Sequence, residues 1–276
     1  MMKLLICLSD KRRCSSNFRI RPHKFRVVNQ ILRRHSPDFN YLPQLLQSVG
    51  PFVQYLTIES LSTAESLKLR AILSSCPNVR NLVIYPPSPV GRPSLNYLLP
   101  ALQGMPHLTH LTAALLSVPY DKFLTLPFLN LTHLAILLPN GNSWEGQWEV
   151  LTRLPKLTHL SVEFFVQVDI ILHLLLFCPL LKLLTVIPYH EMDPYELCGY
   201  RVDDNRFVQL VGLTYADRIL DWERGANGGM DKWKFSELVI FARGSEYSSN
   251  SAGFRAERLD RKILLEAITN LDSEEP

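Results

Sequence analysis

The sequence predicts an α/β fold with parallel strands on the inside and helices on the outside. Three observations carry that expectation. One short phrase recurs six times, its copies are almost evenly spaced, and the stretches between them are long enough for a helix. Self-similarity at a period of roughly 20–50 residues is the signature of a stacked repeat.

The phrase is an apolar residue, two others, Leu, one other, then Ile, Val or Ala. It reads Val53-Gln-Tyr-Leu56-Thr-Ile58, Val79-Arg-Asn-Leu82-Val-Ile84, Leu108-Thr-His-Leu111-Thr-Ala113, Leu131-Thr-His-Leu134-Ala-Ile136, Leu157-Thr-His-Leu160-Ser-Val162 and Leu181-Lys-Leu-Leu184-Thr-Val186. Successive starts lie 26, 29, 23, 26 and 24 residues apart. In a strand, side chains alternate between faces, so the central Leu and the residue two further on point to the core. One such strand buries almost nothing, but parallel neighbours share a continuous core. The expected architecture is a leucine-rich-repeat-like solenoid with a parallel inner sheet and outer helices. Pro77, Pro106, Pro155 and Pro179 stand just before four copies. There they stop the preceding helix without removing a ladder hydrogen bond. Cys76 and Cys178 precede two of them and read as small buried hydrophobes.

The helical stretches follow from spacing. Residues 61–75 place Leu61, Ala64, Leu67 and Ile72 along one face. Residues 94–104 end at Gly104, a helix stop, with Pro100 as a kink. Residues 143–153 offer Ser143 as a cap and Trp144, Trp148 and Leu151 at i, i+4 and i+7. Residues 166–177 are apolar nearly all round, which predicts a helix buried between neighbours. Regular repeats carry Asn or Cys eight residues after the first Leu, where it caps the turn. Here those positions hold Leu61, Pro87, Leu116, Pro139, Phe165 and Tyr189, so irregular repeats without an asparagine ladder are expected.

Three segments are expected: a basic, loosely ordered arm over 1–39, the repeats with their closing segment over 40–242, and a linker with a C-terminal helix over 243–276. Residues 1–35 hold ten Lys/Arg against the single acid Asp10. Of the chain's 29 basic and 26 acidic residues, 19 and 25 remain for the rest, so a basic arm joins a mildly acidic body. Only Phe18 and Phe25 interleave with the basic residues, which argues against base stacking and makes nucleic acid an unlikely partner. The helix over 254–271 carries Leu259, Ile263, Ala267 and Leu271 at i+4 intervals. Apolar residues make up 47% of the chain, enough for a substantial core. The stretch 162–189 is interrupted by Asp169, His173, Pro179 and Lys182, so no membrane span is expected. Leu4–Leu8 is too short for an export signal, and five cysteines without a CxxC pair make neither a disulfide scaffold nor a zinc site. A cytoplasmic or nuclear location follows.

Candidate binding residues lie just before the central Leu of each copy: Tyr55, Asn81, His110, His133 and His159, with Leu183 last. On strands about 4.8 Å apart they form a column on the exposed inner face. Nothing in the phrase orients three imidazoles around a metal, so no metal or cofactor is expected and recognition is the favoured role. The next column, Thr57, Val83, Thr112, Ala135, Ser161 and Thr185, is small and would admit a close-lying peptide. The competing role is an enzyme built on His190, Glu191, Asp193, Asp203 and Asp204, the one His/carboxylate cluster. Gly225-Ala-Asn-Gly228-Gly229 lacks nucleotide-loop spacing and reads as a helix stop.

The phrases CPNVRNLVIY, MPHLTHLTA, NLTHLAIL and LPKLTHLSV, with the later DWERGANGG and Trp233, resemble the F-box/leucine-rich-repeat-like proteins of mushroom-forming fungi. The resemblance covers about residues 40–242. It implies substrate recognition by the repeats, closing helices containing Trp233, and docking of an F-box onto the Skp adaptor of a cullin-RING ubiquitin ligase. Residues 1–40 depart from it, since they carry neither the LPxE opening nor three short apolar helices. A free-standing scaffold is the alternative expectation.

Overall fold

The computed structural model describes residues 3–8, 47–59, 66–85, 98–115, 118–137, 148–163, 166–187, 202–210 and 215–246. The chain divides into two compact units, Met1–Leu137 with Arg153–Lys156 and Leu138–Thr152 with Leu157–Pro276. Each is α/β.

In the first unit, β1 (Lys3–Leu8) pairs antiparallel with β2 (Val53–Glu59). Parallel to β2 run β3 (Asn81–Tyr85), β4 (His110–Ala113) and β5 (His133–Ile136). The repeated phrase stacks in register: Leu56 pairs with Leu82, Leu82 with Leu111, and Leu111 with Leu134. All four are at most 1% exposed. A one-residue slip would turn every leucine toward the wrong face, so the shared core fixes the register. Residues 3–8 were expected within a loosely ordered arm. Their alternation Leu4, Ile6, Leu8 instead matches a strand, and the free edge of β2 supplies the backbone partner. The rest of that arm lies outside the described residues.

Helix α1 (Ser66–Ser74) follows β2, α2 (Leu99–Gln103) follows β3, and α3 (Tyr120–Phe123) follows β4. The buried stripe of α1 is Leu69, Ile72, Leu73 and then Cys76, at i, i+3, i+4 and i+7. The expected face shared Ile72 but was otherwise placed on Leu61, Ala64 and Leu67, whose side chains lie outside the described residues. Gly50 faces the end of α1, and a Cβ there would stand 2.1 Å from the Ser75 carbonyl oxygen. Only glycine fits.

The second unit contains β6 (His159–Val162), β7 (Leu183–Val186) and β8 (Phe207–Gln209), all parallel. Leu160 pairs with Leu184 and Leu184 with Phe207. Helix α4 (Trp148–Thr152) packs on α5 (Val168–Phe177). Trp148 and Leu151 are buried as the spacing predicts; Ser143 and Trp144 lie outside the described residues. The expectation for α5 needs correction. Ile171, Leu174 and Leu175 are buried, but Leu172 and Leu176 are 47% and 73% exposed. Among the described residues, no helix is long and apolar enough to cross a membrane.

The chain closes with α6 (Tyr215–Ala226) and α7 (Lys232–Glu246). Gly225-Ala-Asn-Gly228-Gly229 ends α6 as expected. Gly228 has φ +83°, Gly229 N–H donates to Arg224 O at 2.9 Å, and Gly228 N–H donates to Gly225 O at 3.0 Å. Those two bonds cap the last turn, and a residue with a Cβ pays a steric cost at that φ. Asp231 then caps α7 by accepting from Lys234 N–H at 3.0 Å.

Candidate functional site

In the first unit the expected column is present. Tyr55 pairs with Asn81, Asn81 with His110, and His110 with His133, each half-buried. The two imidazoles stack with centroids 4.0 Å apart and planes inclined by 14°. The adjacent column differs from expectation: Thr57, Val83, Thr112 and Ala135 are all under a tenth exposed, so it does not offer an open floor. The reachable part of this face is the Tyr55–His133 row.

The repeated Thr-His pair has a structural reason. Thr109 Oγ1 donates to Arg80 O at 3.2 Å, and Thr132 Oγ1 donates to Thr109 O at 3.2 Å. A hydroxyl has one proton. The 2.9 Å contacts from these oxygens to His110 Nδ1 and His133 Nδ1 therefore have the ring nitrogen as donor. Both rings therefore carry a proton on Nδ1, directed at the threonine oxygen. Among the described residues, no group of three or more His, Cys, Asp or Glu could hold a metal ion.

His159 sits differently. It is 6% exposed, enclosed by α7 instead of half-exposed as the repeat predicts. Its Nε2 lies 3.0 Å from Glu237 Oε1, and Trp233 meets the ring edge-on at 6.0 Å. The Glu237 carboxylate accepts a proton from Nε2, and Thr158 Oγ1 lies 2.8 Å from Nδ1. The same two-residue phrase thus meets two different environments, a half-buried stack at His110 and His133 and a carboxylate at His159. Burial lowers the His159 pKa, and the hydrogen bond to Glu237 only partly opposes it.

The remaining inner face of the second unit is a core. Leu183, Ile187, Val208 and Leu210 are buried against Trp233, Phe235, Val239 and Ile240. Thr185 Oγ1 bonds Ser236 Oγ at 3.4 Å, and Arg243 NH1 donates to Phe207 O at 2.7 Å. At the end of β6, Glu163 is 1% exposed. It pairs with Arg218 of α6 at 3.0 Å and with Lys232 of α7. Burial would raise its pKa, but those two cations hold it below the usual carboxylate range. Half-buried Asp221 lies nearby, and burial together with Asp231 and Glu163 raises it to about 7 despite Lys232. Gly225 lets this arrangement close, since a Cβ there would stand 2.3 Å from Asp231 Oδ2.

Of the competing cluster, Asp203 and Asp204 lie among the described residues. Asp203 is exposed, while Asp204 accepts from Arg206 N at 2.8 Å, Nε at 2.9 Å and NH2 at 2.7 Å. Arg206, just before β8, also donates to Leu175 O at 2.6 Å, tying the entrance of that strand to the last turn of α5. Burial would raise the Asp204 pKa, yet the Arg206 bonds hold it low, as befits a brace and not a proton donor. His190, Glu191 and Asp193 lie outside the described residues. Cys76 and Cys178 are buried, with pKa values pushed up to about 12 and about 11, so neither is a reactive thiol.

One ladder escaped the sequence reading. Asn78 donates to Pro51 O at 2.7 Å, Asn130 donates to Pro106 O at 3.2 Å, and Lys156 Nζ donates to Asn130 Oδ1 at 2.8 Å. These residues stand just before the first apolar position of their copies, at the entrance to the strand. The search had looked after the strand. Comparison with protein-family models and with curated proteins returns no match.

Proposed function

We propose that the chain is a non-catalytic protein-recognition module built as a leucine-rich-repeat-like solenoid, an F-box-like substrate-receptor relative. The observation that carries this reading is the in-register row Tyr55, Asn81, His110 and His133. It puts aromatic and adaptable polar groups on consecutive rungs, with both imidazoles oriented in advance by threonine, and such groups suit protein recognition. The leucine-for-leucine register supports the solenoid, because each copy then repeats the last. The resemblance of the repeat phrases and DWERGANGG supports the receptor reading. A free-standing scaffold that binds partners through the same row is the alternative reading.

Two measurements test this. Titration of the purified chain with purified Skp adaptor separates the readings: saturable binding supports the receptor, and no binding leaves the scaffold. Replacing His110 and His133 together with Ala should cut co-purification of partner proteins about tenfold with the fold intact. An unchanged partner set would remove the row from recognition.

A further inference from the structure

Among the described residues of the first unit, no acid stands where the chain enters a parallel strand. That unit's two described acids are elsewhere: Glu59 ends β2, opposite Lys3 in the ladder, and Asp121 lies 3.0 Å from its neighbour Lys122. The strand entrances carry cations instead. Arg80 immediately precedes β3, and His107 stands three residues before β4. Asn130 holds the matching place before β5, and its Oδ1 accepts from Lys156 Nζ at 2.8 Å. Arg80, His107 and Lys156 are all exposed. Among the described residues the Arg80 guanidinium and the His107 ring have no hydrogen-bond or ion-pair partner, and Lys156 uses one of its three donors. A helix C-terminus attracts a cation, yet none of the three bonds a helix carbonyl. Basic groups gathered on one edge without counter-charge attract an anion.

We propose that this edge docks an acidic, unphosphorylated peptide segment of the partner, laid across the strands beside the Tyr55–His133 row. The proposal rests on that row being the recognition surface and adds the chemistry of what it takes. Arg80 adjoins Asn81 of the row, and His107 leads into His110, so edge and row face one bound segment together. Rungs about 4.8 Å apart set Arg80 and Asn130 about 10 Å apart along the stack, with Lys156 one hydrogen bond further. An extended segment rising about 3.3 Å per residue crosses that span in about five residues. Glu or Asp at alternate positions then meets the cations in turn.

The test is fluorescence anisotropy of the full chain with a fluorescein-labelled octapeptide alternating Glu and Gly, and with its Lys-for-Glu counterpart. The acidic peptide should saturate and the basic one should not, and added salt should weaken the acidic complex. Arg80→Glu with Lys156→Glu should weaken it about tenfold or more while circular dichroism stays native. Arg80→Gln with Lys156→Gln takes their place should the reversals unfold the chain. No saturable binding, or equal binding of both peptides, overturns the proposal. So does binding that survives the substitutions at the edge; a fall with Arg33→Glu and Arg34→Glu then assigns the acid to the basic arm. Tighter binding of an oligouridylate than of the acidic peptide overturns it too, by assigning the edge to nucleic acid. Partner loss from the His110→Ala, His133→Ala variant is measured separately and persists even where the acidic peptide fails, so this proposal and the recognition reading fail apart.

Discussion

His159 Nε2 and Glu237 Oε1 lie 3.0 Å apart across 78 residues of sequence, joining β6 to α7. The ring is almost fully buried while Glu237 is half-exposed. Solvent screening keeps the pair itself to about 1 kcal/mol or less. The larger effect is protonation. Burial holds His159 neutral, so its folded pKa lies below the unfolded value. That contribution to stability is complete above the unfolded histidine pKa, near about 6.5, and is lost as pH falls below it. Melting temperatures measured from neutral to mildly acidic pH should therefore decline more steeply for the parent chain than for His159→Gln.

Asp221 should act in the opposite sense. Its folded pKa of about 7 is raised. The stability it contributes is complete below its unfolded pKa, near about 3.9, and is lost as pH rises toward the folded value. Asp221→Asn should be more stable than the parent at pH values above 7 and should flatten the pH dependence between those limits. Urea denaturation across that range checks it, and a variant no more stable than the parent in mild alkali would contradict the assignment.

Glu163 anchors two helices to one strand end. Replacing it with Gln leaves the buried Arg218 and Lys232 without their shared counter-charge, a loss of about 3–5 kcal/mol. The denaturation midpoint should fall accordingly, with protease cleavage first appearing in α6 and α7. Losing both cations with the carboxylate, as Met or Leu, should cost much less, because apolar groups of similar size need no partner.

The leucine row predicts a sharp contrast between adjacent residues. Leu134→Ala should cost about 2–5 kcal/mol, and Leu134→Asp should unfold the first unit by burying an unpaired charge. Leu160→Asp should do the same in the second. Neighbouring His133→Ala should change stability far less, since His133 is half-buried. Circular dichroism and urea titration distinguish these outcomes.

Thr132 sets the state of His133. Thr132→Val removes the acceptor of the Nδ1 proton, so the Nε2–H tautomer should gain population. Imidazole nitrogen shifts in labelled protein read this directly, with Thr158→Val at His159 as a contrast, because Glu237 should hold that ring as Nε2–H.

The alternation and spacing of six phrases determined β2 to β7 and the leucine core, and the glycines of 225–229 determined the turn after α6. These are local: period two places a side chain on a face, and a glycine at positive φ ends a helix wherever it occurs. The Thr-His pair was equally legible as a repeat, but its meaning was not. That His159 is enclosed depends on α7, which arrives from far along the chain. Only the tertiary structure decided that, along with the pairing of β1 to β2 and the gathering of Arg218, Asp221 and Lys232 around Glu163. Contacts between distant segments arise from complementary shape and charge, and no periodicity in either partner records the other's address.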